Sequence, residues 1–208
     1  MILQRLPVQG GFETNAYFYV DESSKHGFLI DPGAEPEKLA SYVQTQGWTI
    51  EKILLTHGHF DHSGAVEALS NRWEIPYLIH PNGKVYLEKP DYNLSRFCGA
   101  DLVLTHATYI DDGAEIALTA NPSVTLTWLH TPGHTTDSSV LYDTENHEAF
   151  VGDTIFKGSI GRTDFPGGNE RQLAQSIRQI LSLPPKTMLY SGHSLPTDVQ
   201  TERTRYGF

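Results

Sequence analysis

Three imidazoles and one carboxylate fall within six residues, at His57, His59, Asp61 and His62, directly after the apolar run Ile53-Leu54-Leu55. Histidine and aspartate are the nitrogen and oxygen donors that borderline divalent metals accept. If the chain stays extended, positions 57, 59 and 61 project to one side. His62 breaks the alternation and points elsewhere, so the cluster could serve two adjacent metals rather than one. Ten histidines in 208 residues are too few for this crowding to read as an ordinary polar loop.

Donors of the same kinds recur at three later junctions: His134 in Thr131-Pro132-Gly133-His134-Thr135, Asp153 in Gly152-Asp153-Thr154, and His193 in Ser191-Gly192-His193. Each lies at the end of an apolar run, and each has a glycine beside it, which lets the backbone turn sharply around an ion. His26, His80, His106, His130 and His147 lack one feature or the other. His130 is expected to be a core or supporting group. The seven donors are too many for one tetrahedral ion and suit two ions sharing a carboxylate. Such a pair, some ~3.5–4 Å apart, traps a bridging water, lowers its pKa toward neutrality and clamps an in-line attack. The chemistry is hydrolysis at a carbonyl or phosphoryl centre, with no Ser–His or Cys–His nucleophile. Cys98 is expected to be an ordinary thiol.

The elements that must carry these donors can be read from periodicity. Residues 2–8 and 14–20 are β-branched and aromatic and form a hairpin around Gly10-Gly11. A strand over 27–30 ends at Asp31-Pro32-Gly33, where Asp31 either holds a ligand histidine or only shapes the turn. Leu39, Tyr42 and Val43 predict a helix over 35–46, ended by Gly47. A strand over 52–55 delivers the first cluster. From Asp61 the period turns helical, with Ala65, Val66, Leu69 and Trp73 on one face. Asp61 has a second reading there, as an N-cap. Strands follow over 77–80, 115–118, 124–129, 138–142, 148–151 and 187–190. Asn169 with Gln172 makes a capping-box pattern that opens a helix over 169–181. Residues 82–111 read as a surface excursion packed by its own aromatics or as a flap over a pocket. The tail, Thr201 to Phe208, is charged and then aromatic. No linker or low-complexity segment divides the chain, so one domain over 1–208 is expected.

Composition narrows the function classes. The net charge of −10 argues against a nucleic-acid partner. No apolar run reaches membrane-spanning length, and no signal peptide is visible at the start. A single cysteine excludes an internal disulfide. The expectation is a cytoplasmic enzyme acting on a small molecule.

The motifs His57-x-His59-x-Asp61-His62, Thr131-Pro132-Gly133-His134-Thr135, Gly152-Asp153 and Gly192-His193 resemble, in order and spacing, those of the metallo-β-lactamase-fold hydrolases. The resemblance implies an α/β (α+β) chain folded as a four-layer αββα sandwich, with metals at one edge between two sheets. It implies His57, His59 and His134 on one metal, Asp61, His62 and His193 on the other, and Asp153 bridging them. Asp61 would also orient the bridging water or take its proton. The ions would be zinc foremost, with iron or manganese as alternatives. Within the family, Gly152 to Phe156 and Gly158 to Asn169 are similar to the glyoxalase II-like group. That implies hydrolysis of S-acylglutathione-type or related small thioesters. At the last histidine that group carries Gly-His-Glu-Tyr-Thr, where this chain has Gly192-His193-Ser194-Leu195-Pro196-Thr197. Gly161-Arg162-Thr163-Asp164-Phe165 also resembles the persulfide dioxygenases, which use one iron on the same scaffold. Arg162 either binds a substrate carboxylate or pairs internally with Asp164. A third alternative is a catalytically silent metal-binding scaffold.

Overall fold

Seven consecutive residues, Thr14–Val20, are buried, and their alternation shows how the layers stack. Tyr17 and Tyr19 join one apolar cluster with Trp128, Leu141 and Phe150. Ala16, Phe18 and Val20 join another with Leu39, Val43 and Leu69. A strand whose two faces enter two different cores must lie in a sheet covered on both sides. The computed structural model describes residues 1–207, so Phe208 at the end of the tail lies outside the described residues.

The first sheet contains β1 (Ile2–Gln9), β2 (Glu13–Val20), β3 (His26–Ile30), β4 (Thr49–Leu54), β5 (Tyr77–Ile79) and β6 (Thr108–Tyr109), hydrogen-bonded in chain order. β1 to β3 are antiparallel, and β3 to β6 are parallel. Parallel neighbours need crossovers. Helix α1 (Pro36–Gln46) supplies the first, and α2 (Phe60–Ser63) with α3 (Val66–Trp73) supplies the second. The third crossover carries the short helix α4 (Lys84–Glu88).

The second sheet runs β14 (Thr197–Asp198), β13 (Met188–Ser191), β10 (Glu148–Gly152), β9 (Ser139–Asp143), β8 (Thr125–His130) and β7 (Glu115–Ala117). β11 (Ile155–Phe156) and β12 (Ser159–Ile160) form a separate small hairpin. Helix α5 (Glu170–Leu181) crosses between the parallel strands β10 and β13, and α6 (Val199–Tyr206) follows β14. Leu173, Ile177 and Ile180 of α5 cover the outer face of this sheet against Val140, Ala149 and Val151. Tyr17, Phe28, Trp128, Leu141 and Phe150 fill the space between the sheets. Each such fully buried side chain contributes about 1.5–3 kcal/mol. The result is the four-layer αββα sandwich.

Three local departures from the sequence reading have physical causes. The helical pattern from Asp61 splits into α2 and α3, because the loop after β3 packs into the gap. Ala65 N–H donates to Pro32 O at 2.9 Å, and a Cβ on Gly64 would lie 2.3 Å from Gly33 O. Asp61 is not an N-cap, since His59 holds that position. Residues 82–111 are more than a surface excursion: Tyr86, Leu87 and Asn93 are buried within it. Asn93 Nδ2 donates to the Tyr86 and Leu102 carbonyls at 2.8 and 2.9 Å, satisfying irregular backbone from a side chain. Among the described residues no helix is long and apolar enough to cross a membrane.

Candidate metal centre

The carboxyl ends of β3, β4, β8, β10 and β13 open on one edge of the sandwich. β4 ends at Leu54 and leads to His57, β10 ends at Gly152 and leads to Asp153, and β13 ends at Ser191 and leads to His193. The loop after β8 carries His134, tied down where Asn169 N–H donates to Gly133 O at 2.8 Å. That bond uses the amide a full capping box would need, so only half the box forms: Asn169 Oδ1 accepts from Gln172 N at 3.0 Å.

Three sets of donors converge there: His57, His59 and His134; His57, His62 and Asp153; and Asp61, His62 and His193. Within each set the donor atoms lie within 4.8 Å of one another. His59 Nδ1 is 3.1 Å from both His57 Nε2 and His134 Nε2. Nitrogens on one tetrahedral ion with bonds of about 2.0–2.1 Å lie about 3.3 Å apart, so this spacing suits a shared cation. Asp153 stands between the sets. Its Oδ2 is 3.2 Å from His193 Nε2 and 3.7 Å from His134 Nε2, and its Oδ1 is 3.4 Å from His62 Nε2. Asp61 Oδ2 is 3.1 Å from His193 Nε2. Gly192 permits this crowding, since a Cβ there would meet Asp153 Oδ1 at 2.4 Å.

The far nitrogens of these rings fix their tautomers. His134 Nδ1–H donates to the Arg162 carbonyl at 2.8 Å, and His193 Nδ1–H to the Glu13 carbonyl at 2.7 Å. His62 Nδ1–H donates to Asp31 Oδ2 at 2.9 Å. Thr56 donates its hydroxyl to the same Asp31 at 2.6 Å, leaving an Oγ1 lone pair for His57 Nδ1–H at 3.2 Å. In its neutral form each of these four rings therefore turns the Nε2 lone pair inward. Asp31 has φ +50, so it shapes the turn and also holds His62. His62 Nε2 and Asp153 Oδ1, which face the cluster, are buried without a hydrogen-bond partner among the described residues. Orphaned buried atoms of donor type fit a divalent cation.

Electrostatics divide the centre. Burial and the neighbouring imidazoles push His57 down, and burial with His134 drives His59 down to about 3. Burial also acts to lower His62 and His193, but carboxylates reverse it. Asp153, Asp31 and Asp61 raise His62, while Asp153 and Asp61 raise His193 to about 10. Burial opposes ionisation of Asp61 and Asp153, yet His62 and His193 hold both below the usual carboxylate range.

The structure thus brings together His57, His59, Asp61, His62, His134, Asp153 and His193. His130 lies apart, stacked on His80 at 3.8 Å with its Nε2 on the Thr136 carbonyl. Cys98 is exposed and free. Arg162 forms the internal pair, its Nε and Nη2 donating to the two Asp164 oxygens at 2.6 Å. Sequence reasoning missed Thr56 and the Glu13 and Arg162 carbonyls as supports. It also missed Asp137, fully buried beside Gly58, whose oxygens have no hydrogen-bond partner among the described residues.

Residues 9–193 match the Metallo-beta-lactamase superfamily. The "Probable metallo-hydrolase YqgX" of Bacillus subtilis is 38% identical over 207 residues, covering 99% of this chain and 96% of its own. The "Hydroxyacylglutathione hydrolase GloC" of Haemophilus influenzae is 31% identical, covering 98% and 95%. Among solved structures, the BLEG-1 B3 metallo-beta-lactamase superposes with a TM-score of 0.90 at 34% identity, covering 98% and 97%. TTHA1623 in a di-iron-bound form gives 0.84 at 36% identity, covering 95% and 96%. The fold and the His/Asp cluster together support a site for divalent metal ions.

Proposed function

The chain belongs to the metallo-β-lactamase superfamily of metal-dependent hydrolases, and we propose that within it the protein is a dinuclear thioesterase of the glyoxalase II-like group. The observation that carries this is the convergence of inward-facing lone pairs in two sets with Asp153 between them. His57, His59, His134 and Asp153 would hold one ion. Asp61, His62, His193 and Asp153 would hold the other. Zinc suits these nitrogen and oxygen donors, and iron or manganese are the alternatives. Bound ions supply Lewis acidity and lower the pKa of water from 15.7 to about 7.

The chain's own residues do the rest. Asp31, the Glu13 carbonyl and the Arg162 carbonyl keep His62, His193 and His134 in the tautomer that offers Nε2. Asp61 Oδ2 orients the attacking water and accepts its proton. The carbonyl carbon of the thioester gains the water oxygen, the C–S bond breaks, and sulfur leaves as the thiol. Substrates of the S-acylglutathione type or related small thioesters fit this chemistry, and the relative named as a hydroxyacylglutathione hydrolase supports it. The reading includes one domain over 1–208 and a cytoplasmic setting.

Metal analysis of protein purified without added metal, paired with turnover assays, tests the proposal. About two ions per chain and thioester hydrolysis are expected. A single iron with oxygen uptake on glutathione persulfide overturns it in favour of a dioxygenase. Full metal loading with no turnover of thioesters, lactones, β-lactams or phosphodiesters marks a silent scaffold.

A further inference from the structure

Five of the nine phenylalanines in the chain, Phe12, Phe60, Phe97, Phe156 and Phe165, line one cavity of ≈ 820 Å³ together with Ile160. Five of the seven candidate donors border the same space, so the cavity is continuous with the metal centre. The rings flank the centre on two sides: Phe165 lies 6.2 Å from His59, and Phe156 lies 6.2 Å from His193. Phe12 packs against Phe60 at 6.3 Å and extends the wall outward.

Three of these side chains stand in solvent, Phe97 at 76% exposure, Phe12 at 59% and Ile160 at 42%. Leaving large apolar side chains exposed around a cleft is unfavourable in proportion to their area and marks a surface that something apolar covers. The charged groups point the same way. Among the described residues lining the cavity, Arg162 and Asp91 are the charged ones beyond the donor set. Both are already paired. Arg162 is held by Asp164 at 2.6 Å and stacks 4.0 Å over the Phe165 ring, while Asp91 is held by Arg96 at 2.8 Å. A carrier with several carboxylates finds no unpaired Lys or Arg on this wall.

We propose that the cavity takes an uncharged apolar arm of the substrate, alkyl or aryl, attached beside the scissile carbonyl. The inference rests on the thioesterase reading above and narrows its substrate class away from multiply charged thiol carriers. The volume suits an arm of drug-like size. The arm belongs to the acyl group or to the thiol, and water adds to the same carbonyl in both cases. The products are a carboxylate, the free thiol and one released proton.

Two substrate ladders on the holoenzyme separate these sources. Thioesters of N-acetylcysteamine from acetyl to decanoyl lengthen the acyl arm, and acetyl thioesters of the matching alkanethiols lengthen the other. In at least one ladder kcat/KM should rise about fourfold per methylene until the cavity is filled, and pass that for S-lactoylglutathione. Phe156→Ser and Ile160→Asn should flatten the slope. Flat ladders with S-lactoylglutathione preferred overturn the apolar arm and leave the thioesterase standing. No turnover of any thioester overturns the thioesterase, and calorimetry with uncleavable N-alkyl amides then decides the arm. Affinity rising with chain length supports it, and no binding overturns it. A dimer in sedimentation that Phe97→Ser breaks would mean a second copy covers the rim, which also overturns the proposal.

Discussion

On one side of Asp153 stand three imidazoles, and on the other an aspartate and two imidazoles. The three-imidazole side, His57, His59 and His134, is buried, and His57 and His59 are held well below their ordinary basicity. The carboxylate side, Asp61, His62 and His193, reaches the surface at His193, and its imidazoles are raised. One set excludes positive charge by desolvation, and the other attracts it. A cation on the first side would meet three neutral imidazoles and no carboxylate but Asp153, while on the second it would meet Asp61 as well. The supports do not divide in the same way: His134 and His193 each lean on a neutral carbonyl, while His62 leans on the Asp31 carboxylate, which also reaches His57 through Thr56.

The largest expected effect breaks the comparison altogether. Asp153→Ala removes the one group that faces both sides and should lose metal and activity together, to background, by metal analysis and thioester assay. If the variant kept both ions and full turnover, Asp153 would not join the two sides.

A smaller change sharpens the comparison. Asp31→Ala should weaken cation affinity on the carboxylate side by about 10–100-fold and disturb the three-imidazole side less, since Asp31 reaches that side only through Thr56 and His57. A competitive chelator titration should then show one of two steps displaced farther than the other. Equal weakening of both steps would mean that Asp31 acts through the fold. Asp31→Asn should fall between, since its amide oxygen still accepts from Thr56 N–H while the charge facing His62 is gone.

The smallest effect concerns Asp137, behind the three-imidazole side. Burial pushes its carboxyl from 3.8 up to about 7, so the folded chain keeps a proton that the unfolded chain has lost. Its contribution to stability is complete below pH 3.8 and is lost as pH rises through about 7. Asp137→Asn lacks this loss. Denaturant titrations should show the variant gaining on the parent chain across that window, with a limiting slope of about 1.4 kcal/mol per pH unit. A pH-independent difference would sink the assignment.

The donors were legible because each combines a distinctive residue type with a strand end. Of their supports, only Asp31 was. Glu13 and Arg162 act through backbone carbonyls, which every residue carries, so no side-chain pattern marks them. Asp31 was readable as a turn residue with two roles, and its burial against Thr56 and His62 shows that it fills both. Periodicity marked β2, β8 and α5 as elements, while the sandwich itself was legible only through the family resemblance of the donor motifs. The strands β11, β12 and β14, two residues each, are too short for any period. The break between α2 and α3 depends on a contact with Pro32 and Gly33, which no local pattern reports. The wall over residues 84–98 is irregular and held by Asn93, so its place beside the cavity emerges only in three dimensions.

The loop carrying His193 rests on the start of the chain. Asn15 N–H donates to Gly192 O at 2.8 Å, Tyr17 Oη–H to Ser191 O at 2.7 Å, and His193 to Glu13 O across 180 residues. During synthesis the N-terminal sheet therefore has its partner strands long before its last ligand exists. The carboxylate side closes only when residues 191–194 reach β2, an ordering expected of contacts with such sequence separation. A cation bound there would clasp two segments 180 residues apart, so its binding free energy would add to the stability of the folded chain.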